Sequence, residues 1–544
     1  MTGGEALVAG LAAHGVDTVF GIPGTHNLAA YAALARYSIR HISPRHEQGA
    51  GYAADGYARS TGRPGIVLTT TGPAILNAAA AAAQAYSDSV PVLFISPGMP
   101  LRHPGRGNGL LHEIKDQGAA MAAVVAYGHR VTSVEEIPLA VAQAFASMAT
   151  GRPRPVHLEI PLDLLDESAE VVIVTPVPAG VLHAPAESIA AAARALRTAQ
   201  KPLLIVGGGA SRAASQVTAL AEALGAPVLA TTNGKGIVPE DHPLFLCAGV
   251  QHPSVRAAVE DSDCVLAVGT ELAPSDWWIG LPGCGDRLIR IDVDAASINT
   301  NAVPMLGLIG DAGTVLAGLL DQLDQLDQLG AAPAERVGSA ADRAAEWREK
   351  IRADARVEGE PWLEIVAAIA AALPRDAIVA GDSAMACYYG ALSNLPLFRP
   401  NAFLYPTGVG TLGYGLPAGI GAKIANPEAP VLVVHGDGGI MFTIAELATA
   451  AELGIALPIV VVDNGGYGEI RNEMADRDEP IHAVALGRPD FAALAESLGC
   501  HGIRIESAAE LTAAIQTAFV ADRPTVLHIR EQSRAADDML RQRD

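Results

Sequence analysis

Cysteine is scarce. The 544-residue chain has five (Cys247, Cys264, Cys284, Cys387 and Cys500), scattered and without a CxxC pair. The odd number and spacing exclude a disulfide framework and a thiolate metal cluster, and they fit a reducing compartment. Positive charge is also short, since 37 Lys and Arg against 59 Asp and Glu leave a net charge of −22. Such a surface repels phosphate-rich polymers, which excludes nucleic acid and anionic membrane as partners. No apolar run reaches the roughly 18 residues that a membrane-crossing helix needs. The opening MTGGEALVAGLAAHGVD has no basic segment ahead of an apolar one, so no secretory signal is expected and a cytoplasmic location is. No motif returns at the spacing of a repeat array.

What remains is globular material. Half of the residues are apolar and 18% are charged, and 544 residues predict three or four domains, each with its own core. Residues 1–165 alternate helix and strand signals, with strands expected at 18–20, 39–43, 65–70, 90–96 and 155–160. A second series has strands at 203–206, 227–230, 264–268 and 287–293. A third starts near residue 361, with strands at 377–380, 403–405, 431–434 and 458–462. Repeated βα units of this kind predict parallel sheets covered by helices. Residues 162–187 and 331–342 lack clean periodicity and read as linkers. The middle series carries Gly207-Gly208-Gly209-Ala210 after a strand, but this lacks the G-x-G-x-x-G spacing of a dinucleotide site, so a structural scaffold is the preferred reading there.

Chemistry concentrates at 435–468. One apolar strand runs into Gly436-Asp437-Gly438-Gly439, and a second ends in Asp463-Asn464-Gly465-Gly466-Tyr467-Gly468. Both turns therefore sit at carboxyl ends of strands, where open α/β sheets place ligands. Their glycines let backbone approach an anion closely. Thr443 and Glu446 have capping-box spacing, so a helix is expected to begin near Thr443 with donors free for phosphate. Asp437 and Asn464 supply hard oxygen ligands, and a carbonyl of the second turn supplies a third, which suits Mg²⁺ beside a diphosphate. A lone Gly-Asp-Gly is usually an ordinary turn. The pair is more specific.

This paired pattern resembles the thiamine diphosphate (ThDP) enzymes of the acetolactate synthase, benzoylformate decarboxylase and benzaldehyde lyase family. The resemblance covers about residues 3–530. It implies three doubly wound parallel-sheet domains: pyrimidine-binding (1–165), middle (188–330) and diphosphate-binding (355–535). It implies Asp437, Asn464 and the Gly466 carbonyl as metal ligands. Gly436, Gly438, Gly439, Tyr467, Gly468 and Ser383 are implied at the cofactor. The segment Gly408-Val409-Gly410-Thr411-Leu412-Gly413 resembles the family's stretch in which a bulky apolar residue, here Leu412, props the cofactor bent, and the Gly410 carbonyl receives its amino group.

Glu47 lies in PRHEQGAGYAADGYAR, which resembles the family segment whose Glu contacts the cofactor's pyrimidine. A glutamate between a strand and a small-residue helix is usually solvated. Here the resemblance implies a carboxyl that shares a proton with the ring, and burial raises a carboxyl pKa toward the range such sharing needs. Gly24-Thr25-His26 looks like the benzaldehyde lyase loop whose histidine faces the thiazolium. His112 departs from the family, where a glutamine stands. Two imidazoles there would supply protons near pH 7. Thr25 and Ile470 are expected to line the substrate pocket. A Glu occupies the Ile470 position in pyruvate-decarboxylase-like relatives, and Glu469, one place early, is expected to point elsewhere.

The implied reaction is decarboxylation of a 2-oxo acid of the benzoylformate or 5-guanidino-2-oxopentanoate type. The alternatives are an acetolactate synthase-type carboligase, a benzaldehyde lyase-type enzyme acting on a 2-hydroxy ketone, and a non-catalytic ThDP-binding subunit. FAD in the middle domain is the less favoured additional cofactor. The family places its cofactor between two subunits, so a homodimer or homotetramer is expected, with Glu47 and Asp437 acting across the interface.

Overall fold

A computed structural model describes residues 1–177, 180–329 and 338–531. It contains three six-stranded, wholly parallel sheets. The first holds β1 (Thr18–Gly21), β2 (Arg40–Ile42), β3 (Gly65–Leu68), β4 (Val92–Gly98), β5 (Tyr127–Arg130) and β6 (Val156–Pro161), in the order β2-β1-β3-β4-β6-β5. The second holds β7 (Pro202–Val206), β8 (Val228–Ala230), β9 (Phe245–Ala248), β10 (Cys264–Val268), β11 (Leu288–Asp292) and β12 (Leu306–Ile309), in the order β12-β11-β10-β7-β8-β9. The third holds β13 (Ile378–Gly381), β14 (Phe403–Leu404), β15 (Val431–Gly436), β16 (Pro458–Asp463), β17 (His501–Ile505) and β18 (Thr525–Arg530), in the order β14-β13-β15-β16-β18-β17. The outer sheets thus share one strand order. The middle sheet has the dinucleotide-fold order, with its switch between β7 and β10.

The central strands are apolar on both faces, as a sheet covered on both sides requires. Strands β5, β9, β12, β17 and β18 were not among the sequence expectations. Both β5 and β17 are edge strands, β5 with no buried residue and β17 with His501 and Arg504 exposed, so neither alternation nor an apolar run marks them. Residues 162–187 are not wholly irregular, since Leu162–Asp166 form a short helix and Ala186 opens another. Of the second expected linker, 331–337 lie outside the described residues. No helix among the described residues is long and apolar enough to cross a membrane.

The middle sheet buries its own core, while the outer domains share one. That shared core joins Phe20, Tyr52 and Phe94 to Tyr414, Val433 and Val461. Its seam is the crossing of α1 (Glu47–Thr61) and α2 (Gly415–Ala425). A Cβ on Gly56 would stand 2.1 Å from the Ala418 carbonyl oxygen, and one on Gly421 would stand 1.9 Å from that of Ala53. Only glycine permits so close an approach at either point. Polar ties fix the register. The Tyr414 hydroxyl donates to buried Asp55 (2.6 Å), and Arg59 binds Asp55, Asp88 and Asn233 of the middle domain. Asp88 then accepts from Thr407 N and Gly408 N, holding the loop that leads to Gly410.

Candidate active site

The structure brings the sequence-derived residues into two groups. In the first domain, Glu47 opens α1 and accepts a hydrogen bond from Asn77 Nδ2 (2.9 Å). His26 and His112, 86 residues apart in the chain, meet edge to face with ring centroids 5.1 Å apart. His26 Nδ1 lies 3.1 Å from Thr71 Oγ1. Burial, and then the neighbouring His112, hold the His26 imidazole below its ordinary pKa. His112 has a positive φ of 64°, and its carbonyl oxygen sits 2.2 Å from where a Cβ on Gly72 would stand. Gln117 anchors the same corner. Its Oε1 accepts from Gly72 N (2.8 Å), and its Nε2 donates to Ser96 Oγ and the Pro97 carbonyl. Thr25 is exposed beside these groups.

In the last domain, the two glycine turns pack on each other at the ends of β15 and β16. Asp437 is 5% exposed, and its carboxylate accepts from Gly465 N (3.1 Å). The Asn464 side-chain oxygen lies 3.2 Å from Asp437 Oδ1 and 2.9 Å from the Gly466 carbonyl oxygen. The Asp437 carboxylate, the Asn464 side chain and the Gly466 carbonyl thus converge, and they include hard oxygens of the kind a divalent cation takes. Turned over, the Asn464 amide donates from its nitrogen to both neighbours. Burial, and then the adjacent Asp463, push the Asp437 carboxyl above its usual range. Asp463 is opposed by His528 and Arg488, which outweigh its burial and hold it low.

Glycine is required here by space. A Cβ on Gly439 would stand 2.2 Å from Asp382 Oδ2, and one on Gly468 would stand 2.7 Å from Asn464 Nδ2. Tyr467 packs against Gly438, and its backbone N–H donates to Val484 O (2.9 Å). Gly436 and Ser383 lie on neighbouring strand-end turns, and Gly410 turns with φ of 63°. Leu412 is half-buried, and Ile470 is 46% exposed.

One expectation fails. Thr443 caps no helix. A one-turn helix begins earlier, at Asp437–Ile440, and the next runs Glu446–Glu452 without a side-chain cap. Both capping partners are used elsewhere. Thr443 Oγ1 donates to Gly413 O (2.8 Å), and the Glu446 carboxylate accepts from Arg45 N and His46 N of the first domain. Those backbone donors hold Glu47's end of α1 against the last domain. Glu469 is half-buried and receives the Tyr389 hydroxyl at 2.8 Å.

Asp382 is the residue that sequence reasoning passed over. It is fully buried, accepts from Gly413 N (3.1 Å) and Tyr414 N (2.7 Å), and faces His435 Nδ1 at 3.2 Å. Burial alone would raise its pKa, but His435 and these N–H groups prevail and lower it. It therefore fixes the Gly410–Leu412 loop. Its one signal was its place in Gly381-Asp382-Ser383 at a strand end.

Among the described residues, no hydrogen bond or ion pair joins Glu47, His26 or His112 to the turns at Asp437 and Asn464. The link runs through α1, where the Tyr52 hydroxyl meets Thr411 Oγ1 at 2.7 Å. A separate cavity of about 1210 Å³ lies between the first and middle domains, lined by Gly208, Gly209, Arg212 and Asp292. Arg152 also lines it and pairs with Asp292 (2.9 Å).

Three parallel sheets with paired glycine turns at strand ends are the features of a multidomain α/β enzyme that carries its ligand there. Residues 1–123 match the model for the N-terminal TPP binding domain of thiamine pyrophosphate enzymes, 189–319 the central domain and 380–529 the C-terminal TPP binding domain. The chain belongs to the thiamine pyrophosphate (ThDP) enzyme family. It is 41% identical to a probable 2-ketoarginine decarboxylase of Pseudomonas aeruginosa, over 97% of this chain and 94% of that protein. It is 33% identical to a probable acetolactate synthase large subunit of Methanocaldococcus jannaschii, over 97% and 92%. It is 32% identical to the acetolactate synthase isozyme 2 large subunit of Escherichia coli, over 97% and 95%.

Proposed function

We propose that the chain is a ThDP- and Mg²⁺-dependent decarboxylase of 5-guanidino-2-oxopentanoate (2-ketoarginine) or a close 2-oxo acid, acting as a cytoplasmic homodimer or homotetramer. The observation that carries this reading is the His26–His112 pair, two imidazoles brought to 5.1 Å beside Thr71 and Gly72. Paired proton donors favour completing the reaction with a proton over capturing a second carbonyl. The full-length relative named for 2-ketoarginine supports the substrate.

If bound there, thiamine diphosphate would supply a nucleophilic carbon and a sink for the electrons released with CO₂. Glu47, held by Asn77, would share a proton with the pyrimidine nitrogen. Asp437, Asn464 and the Gly466 carbonyl hold the cation. Gly436, Gly438, Gly439, Tyr467, Gly468 and Ser383 surround the diphosphate, since close backbone there leaves room for phosphate oxygens. The Gly410 carbonyl would accept from the cofactor's amino group, and Leu412 would pack against the cofactor. Thr25 and Ile470 flank the substrate. The separation of the two groups within one chain, together with exposed Leu28, Leu111, Phe442 and Ile470 around them, supports a site completed by a second copy.

Two further readings stand beside this one. The acetolactate synthase relatives favour a carboligase. The dinucleotide strand order and the 1210 Å³ cavity favour FAD in the middle domain, and a yellow holoprotein that releases flavin on denaturation decides it. The reaction is tested with a panel of 2-oxo acids, ThDP and Mg²⁺, scoring CO₂, aldehyde and acetolactate together. We expect one aldehyde per CO₂ and the highest turnover with the guanidino acid. Acetolactate as the main product from pyruvate would replace decarboxylase with carboligase. Absence of CO₂ from every acid would remove both.

A further inference from the structure

We propose that the cavity between the middle domain and the Ser383–Glu469 side of the last domain seats the guanidinium of the substrate, with Glu469 as its counter-charge. This inference rests on the decarboxylase reading above. The cavity is about 290 Å³, and its walls include Asp276, Trp278, Ser383, Tyr388, Tyr389 and Glu469. It is small for a whole ligand and suits a substrate arm.

Three observations converge on a planar cation. The first is a carboxylate set among hydroxyls. Glu469 lies on the cavity wall, and its Oε1 takes the Tyr389 hydroxyl at 2.8 Å. A carboxylate drawn out of water beside neutral donors alone is costly, and a cation entering the cavity offsets that cost. The second is the charge balance. Glu469 and Asp276 both face the cavity, and no Lys or Arg lines it. Asp276 Oδ1 accepts from Thr232 N (3.2 Å) and Thr232 Oγ1 (2.9 Å), which fixes that carboxylate on the middle-domain side. The third is the aromatic wall. Trp278 stands edge to face with Tyr388 (6.0 Å) and Tyr389 (5.6 Å), and those two tyrosines meet at 4.5 Å. A guanidinium stacks on such rings and offers paired N–H donors to a carboxylate.

The cavity adjoins the reaction centre. Ser383 lines it, and Ser383 Oγ lies 4.0 Å from where a Cβ on Gly410 would stand. Glu469 directly follows Gly468 and precedes Ile470 on α3 (Gly468–Asp476). The substrate's three methylenes then run from the keto carbon, held at the cofactor, to the Glu469 carboxylate. Trp278, 44% exposed, stands at the solvent side.

The test compares wild type, Glu469→Gln and Trp278→Ala on 5-guanidino-2-oxopentanoate and on 2-oxohexanoate, whose side chain carries no charge, measuring kcat and KM for each. Wild type should prefer the guanidino acid. In Glu469→Gln the ratio of the two kcat/KM values should fall roughly 100-fold, mostly through KM for the guanidino acid, as expected for loss of a desolvated charge pair. In Trp278→Ala the ratio should fall about 10-fold. If Glu469 serves only to hold Tyr389, both substrates lose together. A ratio unchanged within about threefold in Glu469→Gln therefore overturns the seat. A wild type that decarboxylates 2-oxohexanoate with no preference for the guanidino acid also overturns the seat but leaves the decarboxylase reading standing. CO₂ from neither acid removes that reading and the seat with it.

Discussion

Glu47→Gln should lower kcat by roughly 1,000-fold or more while leaving metal-dependent cofactor binding within about threefold of wild type. The substitution keeps the size of the side chain and its hydrogen bond with Asn77, whose Nδ2 can donate to an amide oxygen as it does to the carboxylate. What it removes is a group able to give and take a proton at one fixed point, and a positioned acid–base group typically contributes a factor of about 10² to 10⁴. The turns that would hold the diphosphate and cation lie in the other domain and share no hydrogen bond with Glu47 among the described residues. Turnover and binding should therefore separate. Steady-state kinetics with a fluorescence titration of ThDP in the presence of Mg²⁺ measures both. Loss of both together would mean that Glu47 shapes the cofactor cradle instead of acting on the cofactor.

Asp437→Asn should have the opposite signature. It should weaken Mg²⁺-dependent ThDP binding by at least about 100-fold, since removal of groups that merely support a metal ligand already costs about 10- to 100-fold. Activity falls with binding and is partly restored at high Mg²⁺ and ThDP. The protein itself should not suffer. Asp437 is buried beside Asp463, which makes its charge costly in the absence of a cation. Without cofactor the Asn variant should melt no lower than wild type, and addition of Mg²⁺ and ThDP should shift its Tm far less. A variant that melts several degrees lower without cofactor would assign Asp437 to the scaffold.

The two halves of the site were unequally legible in the sequence. Asp437, Asn464 and their glycines stand in two short turns; the proposed diphosphate and cation would demand backbone proximity and hard oxygens within a few residues, and such local demands leave local patterns. His26 and His112 were visible as residues, but their meeting depends on the positive φ at His112 and on Gln117 pinning Gly72, which no spacing encodes. Thr443 and Glu446 misled for the same reason. Their spacing fits a cap, but both side chains bond to distant backbone, Gly413 and Arg45–His46, where tertiary contact overrides the local motif. Asp382 and Glu469 gain their meaning only once three separate turns have been folded onto them. Among the strands, the buried ones of the sheet centres announced themselves as apolar runs, while His501–Ile505 at an edge did not.

The central claim is that this chain assembles a working ThDP site from Glu47 at one end and the Asp437–Asn464 turns at the other. Its most direct test needs no substrate. The holoenzyme is exchanged briefly into D₂O, quenched with acid, and the thiazolium C2 proton of the released cofactor is followed by NMR. The account predicts exchange at least about 100-fold faster on wild-type protein than for free ThDP at the same pH, falling to nearly the free rate in Glu47→Gln. Bound cofactor that exchanges no faster than free ThDP on the wild-type protein would contradict it.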